Sequence, residues 1–160
     1  MVTKSPSLLQ TTFATPFGPL RLLASGPSIL ALGWDPPWEG VGRTKDGLSF
    51  LTERILAILQ GKGKPTQLRL EPHGTPFQKR VWKHLMTIPR GACESYGEVA
   101  TAIGCPRGSR AVAQACGANP IVILIPCHRV IAARGRLGGY GPGPEKKIAL
   151  LRSEGLKIMR

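Results

Sequence analysis

The chain has 160 residues, with 22 Lys and Arg against 9 Asp and Glu, and a formal net charge of +13. That length can bury a real core as one domain or two small ones; four Cys are too few for a disulfide scaffold and, without a C-x-x-C pair, indicate neither a zinc site nor a thioredoxin-like motif. No signal peptide or long apolar run is present, so the expectation is a cytoplasmic protein with reduced thiols and no membrane partner.

The charge is unevenly placed. Residues 1–74 carry 8 basic and 5 acidic side chains, a balance of +3, whereas residues 75–160 carry 14 and 4, a balance of +10. Such a field suits a polyanion, most often nucleic acid, because each neutralised phosphate releases condensed counterions. A merely soluble basic surface is the other reading of charge alone.

From Leu8 to Trp34 apolar stretches alternate with turn signals. Pro16, Phe17, Gly18 and Pro19 separate Thr11 to Thr15 from Leu20 to Ala24, and Gly26 and Pro27 precede Ile29 to Trp34, which predicts a small antiparallel meander. Asp35 to Lys45, rich in Pro, Gly and charge, reads as a loop. Leu48, Leu51, Ile55, Ile58 and Leu59 then share one helical face that Gly61 closes. Gly61 to Gly74, around a short Leu68 to Leu70 run, reads as a link between two lobes. This first half holds no constellation of reactive residues and its expected role is structural support.

The second half opens on Thr75, Pro76, Phe77 and Gln78, a capping box with Pro at N1, and Phe77, Val81, Leu85 and Ile88 then stripe one face up to Pro89. Ser95 and Glu98 repeat the box for a short helix through Val99, Ala100 and Ile103 that stops at Gly104. After Cys105 to Gly108, an N-cap at Ser109 launches a helix from Arg110 to Ala118. Helix, short Gly-containing turn, helix is the spacing of a helix-turn-helix. Val130 to Tyr140, with Arg134 and Gly135 at its middle, is expected to form a winglike hairpin. Pro144 starts a last helix with Ile148 and Leu151 inward and Glu154 and Gly155 at its end.

Between these elements lies Ile121 to Ile125, five consecutive apolar residues bounded by Pro120 and Pro126, followed by Cys127, His128, Arg129 and Val130. The run predicts a buried strand that ends in a thiol. Cationic neighbours raise the thiolate fraction of a Cys, and the thiolate is the nucleophile, so Cys127 is the first candidate for chemistry. A buried structural Cys is the alternative reading.

The second helix of a helix-turn-helix normally reads base edges with Arg, Asn or Gln. Here the residues after Arg110 are Ala111, Val112, Ala113, Gln114, Ala115, Cys116, Gly117 and Ala118, mostly small and apolar. Small side chains let a helix backbone come close to a narrow surface, which fits sequence-independent minor-groove binding with Ser109, Arg110, Ala111, Ala113 and Gln114 nearest the duplex. Arg110 could enter the base stack where a nucleotide has been turned out, or simply bind a phosphate.

The chain closely resembles the O6-alkylguanine-DNA alkyltransferase family, also called methylated-DNA–protein-cysteine methyltransferases. The resemblance is carried by Pro126 to Val130, Ser95 to Ala100, Arg110 to Val112, Asn119 and Pro120, Gly139 and Tyr140, and Lys147 followed by Leu150, Leu151, Glu154 and Gly155. It runs in order through residues 75–160 and is weaker before them, where Thr15 to Leu20 look like the family's opening hairpin. The fold class it implies is α+β: a small N-terminal α/β domain with an antiparallel sheet over residues 1–74, then a mainly helical C-terminal domain with a winged helix-turn-helix over residues 75–160.

By resemblance, Cys127 takes the alkyl group from O6 of a flipped guanine, and O4-alkylthymine is a further candidate substrate. His128 acts as base through a water, since neighbours on an extended segment point opposite ways. Glu154 orients His128. Tyr96 donates to the purine ring and Arg110 holds the gap in the duplex. Ser95, Tyr96, Val130, Tyr140 and Gly141 line the pocket, while Asn119 and Arg129 support it, Asn119 by pinning the turn into the active-site strand. Core packing or helix-end solvation is the alternative for Tyr96, Tyr140 and Glu154. The implied partner is double-stranded DNA carrying O6-alkylguanine, bound by a monomer with cooperativity left open, at the nucleoid in a prokaryote. No cofactor or metal is implied; the zinc site found in the first domain of some members is excluded because all four Cys lie beyond residue 92.

Ala113 stands where the family usually has Gly, and Pro142 and Pro144 stiffen the loop after Tyr140, which is expected to narrow access for bulky O6 substituents. An S-alkyl cysteine is a thioether with a poor leaving group, and no second nucleophile is evident, so the protein is expected to act once. Alkyltransferase-like proteins that bind lesions without accepting the alkyl group commonly have Trp in place of the Cys retained here. A winged-helix regulator lacks support from base-reading side chains, and a Cys–His hydrolase leaves the basic helix-turn-helix unexplained.

Overall fold

The computed structural model describes residues 7–34, 43–44 (backbone) and 47–158. The chain divides into two compact units, Met1–Pro72 and His73–Arg160. The first is built on a five-stranded sheet whose strands lie in the order Arg43–Thr44, Leu8–Phe13, Leu20–Ser25, Ser28–Gly33, Arg69–Leu70. Strands β1 (Leu8–Phe13), β2 (Leu20–Ser25) and β3 (Ser28–Gly33) form the expected antiparallel meander, with Phe13 opposite Leu20 and Leu22 opposite Leu32. The β1–β2 turn is fastened locally: Thr15 Oγ1 accepts from the Phe17 amide at 3.1 Å and Gly18 takes φ 98°, a conformation Gly adopts without steric cost.

The loop expected over Asp35 to Lys45 lies outside the described residues except for Arg43 and Thr44, which form β4 (Arg43–Thr44), parallel to β1. Helix α1 (Ser49–Leu59) buries Leu51, Ile55 and Leu59. It ends in a Schellman motif: the Lys62 amide reaches the Ala57 carbonyl at 2.8 Å and Gly61 supplies φ 80°. The Leu68 to Leu70 run is no lobe-to-lobe link. Its residues β5 (Arg69–Leu70) pair in parallel with Ser28 and Ile29, so they complete the sheet of the first unit.

The second unit packs α2 (Pro76–Leu85), α3 (Tyr96–Ala102) and α4 (Ser109–Gly117) against one another. Both expected capping boxes are present, Thr75 with Gln78 and Ser95 with Glu98, each satisfying two otherwise orphaned amides. Trp82 is 2% exposed and donates Nε1–H to the Ala115 carbonyl at 2.8 Å, joining α2 to α4. Gly74 passes so close beneath this indole that a Cβ there would lie 2.5 Å from Cη2.

Four expectations change in this unit. Helix α2 ends at Leu85, four residues before Pro89. The N-cap of α4 is Gly108 and not Ser109, because the Gly108 carbonyl already accepts the first helical bond from Val112 at 2.9 Å and Ser109 Oγ caps nothing. Val130 to Tyr140 form no winglike hairpin: β7 (Val130–Ile131) pairs in parallel with β6 (Glu94–Ser95), and a tight turn at Ala133–Gly135, with Arg134 at φ 61°, closes through the Ala132 amide on the Arg136 carbonyl and the Arg136 amide on the Ala133 carbonyl. Most consequential, Ile121–Ile125 is buried but is not a strand. The Leu124 amide turns back to the Val122 carbonyl at 2.8 Å, with Ile123 at φ 72°, costly for a β-branched residue. The chain must reverse between α4 and the thiol, so the run pairs with itself, Val122 with Ile125, and the turn between them satisfies the Leu124 amide.

Candidate active site

Asn119 organises the approach to the thiol. It lies just past the C-terminus of α4, where its Oδ1 accepts from the Ile121 amide at 3.0 Å and its Nδ2 donates to the Ile125 carbonyl at 2.8 Å. One short side chain thereby clamps both ends of the apolar loop. The same Nδ2 is 3.1 Å from Cys127 Sγ, so Asn119 touches the candidate nucleophile as well as the turn.

Cys127, His128 and Arg129 form one turn of 3-10 helix after Pro126. This replaces the extended geometry expected there, yet adjacent side chains still diverge, since three residues complete a turn. Cys127 is 5% exposed and His128 fully buried. His128 Nε2 lies 2.8 Å from Glu154 Oε1, and Glu154 is the C-cap residue of α5 (Pro144–Ser153). Arg129 does not face the thiol: its Nε and Nη2 grip both Glu154 oxygens at 2.9 Å and its Nη1 donates to the Ile88 carbonyl at 2.7 Å.

The protonation states follow. Burial pushes the Glu154 carboxyl up, but the hydrogen bonds from His128 and Arg129 outweigh it and bring it down to about 2. Burial pulls the His128 imidazole down against the pull of Glu154, which keeps the ring neutral near pH 7. An ionised Glu154 can only accept, so the single ring proton sits on Nε2 and Nδ1 keeps its lone pair. Nδ1 is buried and has no hydrogen-bond partner among the described residues. Burial also raises the Cys127 thiol, opposed by the Asn119 hydrogen bond and the charge of Lys147. The resting sulfur is a thiol that needs a base, and the cation bearing on it is Lys147 of α5 in place of the adjacent Arg129.

Lys147, one of the residues that carry the resemblance, was assigned no role in the expected site. It is fully buried, and its Nζ donates to the Val130 carbonyl at 2.7 Å and the Gly139 carbonyl at 3.1 Å. The sequence signal was present but faint: Lys147 precedes Ile148 on a face otherwise apolar.

Tyr96, the first residue of α3, is half-buried, and its hydroxyl lies 3.5 Å from the same Gly139 carbonyl. Burial raises its phenol, with Cys116 and Cys127 adding to the shift. Tyr140 is half-buried and its phenol is pushed up, chiefly by burial and then by Cys127 and Glu154. Val130 is fully buried, Gly141 is exposed, and Ser95 uses its hydroxyl oxygen as the N-cap acceptor of α3, 3.1 Å from the Glu98 amide. Cys116 is held up at about 12 by burial and by Cys127, which leaves it unreactive.

On α4, Val112 and Ala115 face the core, while Ser109, Arg110, Gln114 and Gly117 are exposed and Ala111 and Ala113 partly so. Arg110, Ala113, Gln114 and Gly117 recur at helical spacing, which makes one low, polar-edged outer face.

Residues 76–156 match the family described as 6-O-methylguanine DNA methyltransferase, DNA binding domain. A methylated-DNA–protein-cysteine methyltransferase of Mycobacterium bovis is 41% identical over 148 residues, covering 89% of this chain and 90% of that protein. The crystal structure of the Mycobacterium tuberculosis protein OGT in complex with DNA is 40% identical, covers 92% of this chain and 93% of its own, and superposes with a TM-score of 0.84. The structure of the Mycobacterium tuberculosis O6-methylguanine methyltransferase is also 40% identical, with a TM-score of 0.81 and 92% of each chain covered.

Proposed function

The chain belongs to the methylated-DNA–protein-cysteine methyltransferase family, and on that premise we propose that it repairs DNA by moving the alkyl group of O6-alkylguanine irreversibly onto Cys127. The observation that carries this assignment is the buried His128, held by Glu154 at 2.8 Å so that its unprotonated Nδ1 is left without a protein partner, in the same helical turn as the thiol.

The Cys127 proton passes through a water to His128 Nδ1, and the imidazolium is stabilised by the ionised Glu154 that Arg129 holds in place. The sulfur attacks the alkyl carbon in line, the S–C bond forms as the C–O6 bond breaks, and the electron pair returns to guanine. Tyr96 then exchanges its long bond to the Gly139 carbonyl for one to the purine ring. The product is a thioether, and among the described residues no second nucleophile stands ready to cleave it. Each chain therefore acts once.

The outer face of α4 enters the minor groove, with Arg110 filling the gap left by the flipped nucleotide. The protein works on double-stranded DNA as a monomer in the cytoplasm; among the described residues no helix is long and apolar enough to cross a membrane. The turn after Tyr140, closed by the Gly143 amide on the Tyr140 carbonyl at 2.9 Å with Pro142 between them, limits the space for large substituents. O6-benzylguanine is expected to inactivate more slowly than O6-methylguanine presented in duplex, and equal rates would remove the loop from the account of specificity.

The test is intact-mass spectrometry after incubation with excess duplex carrying O6-methylguanine, followed by peptide mapping. One methyl per chain, on Cys127 and not increasing with time, is the expected result. An unchanged mass despite lesion-preferring binding would make the protein a lesion binder without transfer.

A further inference from the structure

A carboxylate at the C-terminus of a helix faces the wrong end of the helix dipole, so other groups have to hold it there. Glu154 is such a residue, the C-cap of α5, with its side chain 5% exposed. The grip of Arg129 on both its oxygens answers the charge. The backbone that carries it is held by a different segment, the turn between α2 and β6.

Three features of that turn converge on Glu154. Arg129, while gripping the carboxylate, donates Nη1 to the Ile88 carbonyl at 2.7 Å, so the turn and the carboxylate share one guanidinium. Two residues on, Arg90 Nη2 donates to the Ser153 carbonyl at 2.9 Å, which places a second cation at the negative end of α5. Gly91 then lies against the cap itself: a Cβ there would stand 3.3 Å from the Glu154 carbonyl. The Ala92 amide closes the turn on the Pro89 carbonyl at 3.1 Å, and Gly91, in its third place, takes the φ of 86° that a type II turn demands there. Past the turn, β6 pairs with β7, the two residues that follow the turn of Cys127, His128 and Arg129. One short segment is thereby joined to both members of the sealed pair, to Glu154 by contact and to His128 through the strand that comes after it.

We propose that the turn from Ile88 to Gly91 is a positioning element of the transfer, in which Arg90 and Gly91 set how closely Glu154 approaches His128. This rests on the assignment of Cys127 as acceptor and His128 as its base made above. Neither Arg90 nor Gly91 touches the substrate; both act through Glu154. The charged groups that bear on His128 are Glu154, Arg129 and Lys147, and of these Glu154 alone makes it more basic. A Glu154 that stands further off leaves His128 a weaker base and moves the acid limb of the transfer rate to lower pH.

Single-turnover methylation of the full chain by excess duplex carrying O6-methylguanine, followed by mass over the range of about pH 5–8 in which His titrates, tests it with G91A in the wild-type chain and in a His128→Gln background. The added Cβ forces the cap back by a few tenths of an ångström. Because a misplacement of about 1 Å can cost about 100-fold, the rate at neutral pH should fall about tenfold, with the acid limb displaced to lower pH. In the His128→Gln background Glu154 has no base left to hold, and G91A should cost less than about twofold, the non-additivity of groups that act as a unit. Affinity for undamaged duplex should stay within about twofold, since the DNA face proposed above lies on α4. The wild-type rate in G91A, an equal loss in both backgrounds, or a loss matched by lost affinity would overturn the inference. R90M decides the matter should G91A fail to fold: its rate should fall about threefold and R90K should restore it, since the other two holds on the cap remain. R90M at the wild-type rate, or weakened on duplex with the shallower salt dependence of a lost phosphate contact, would overturn it as well. A wild-type chain that takes no methyl in the same assay overturns the assignment of Cys127 itself.

Discussion

Two histidine–carboxylate pairs sit in the second unit with nearly the same geometry. His84 of α2 meets Glu94 of β6 at 2.7 Å, and His128 meets Glu154 at 2.8 Å. The first pair is reachable by water, with side chains 20% and 31% exposed; the second is sealed at 0% and 5%, with Arg129 closing on the same carboxylate. Distance alone does not separate them. Burial does, because a sealed pair can neither relax to solvent nor exchange partners, and its remaining nitrogen becomes a directed lone pair. A surface pair of the same chemistry contributes little to stability, typically below about 1 kcal/mol.

Breaking the sealed pair should have the largest effect. Glu154→Ala leaves Arg129 and His128 buried without their acceptor and should cost about 3–5 kcal/mol, read from denaturant unfolding. His128→Gln keeps much of the volume but removes the base, and the rate of methyl transfer should fall by about 100-fold or more while lesion binding persists. Acid should act on the same pair. The Glu154 carboxyl is depressed from 4.5 to about 2, so its contribution to stability is complete above 4.5 and is lost as pH falls toward 2. The depressed His128 works in the same direction, since the unfolded chain takes up its proton first, starting near pH 6.5. Stability followed by circular dichroism should fall steadily over that window in the wild type and less steeply in Glu154→Gln. The smallest effect belongs to the open pair: His84→Gln should change stability by less than about 1 kcal/mol and leave transfer unaltered. A loss there equal to that of Glu154→Ala would erase the distinction between the two pairs.

The same contrast between local and distant partners explains what could be read from the chain. The capping boxes at Thr75 and Ser95 were legible because each bond spans three residues. Gly61 and Gly104 were legible as helix stops because positive φ at a helix end favours Gly. Ile121–Ile125 misled because an apolar run records burial and not backbone form; the turn inside it depends on Asn119. Arg129 stands beside the thiol in sequence, yet its acceptors are Glu154 and Ile88. Lys147 is one of the residues that carry the resemblance, yet its burial and its two carbonyl partners are visible only in the fold.

The sequence by itself determined the capped helix starts at Thr75 and Ser95, the glycine stops at Gly61 and Gly104, the small outer face of α4, the resemblance to a family and the thiol most worth suspecting. These rest on bonds within one turn or on the order of residues along a motif. Only the tertiary structure decided which cation faces Cys127, which nitrogen of His128 is free and how the chain turns before the nucleophile. Those outcomes depend on desolvation and on partners up to 41 residues apart, which only packing brings together.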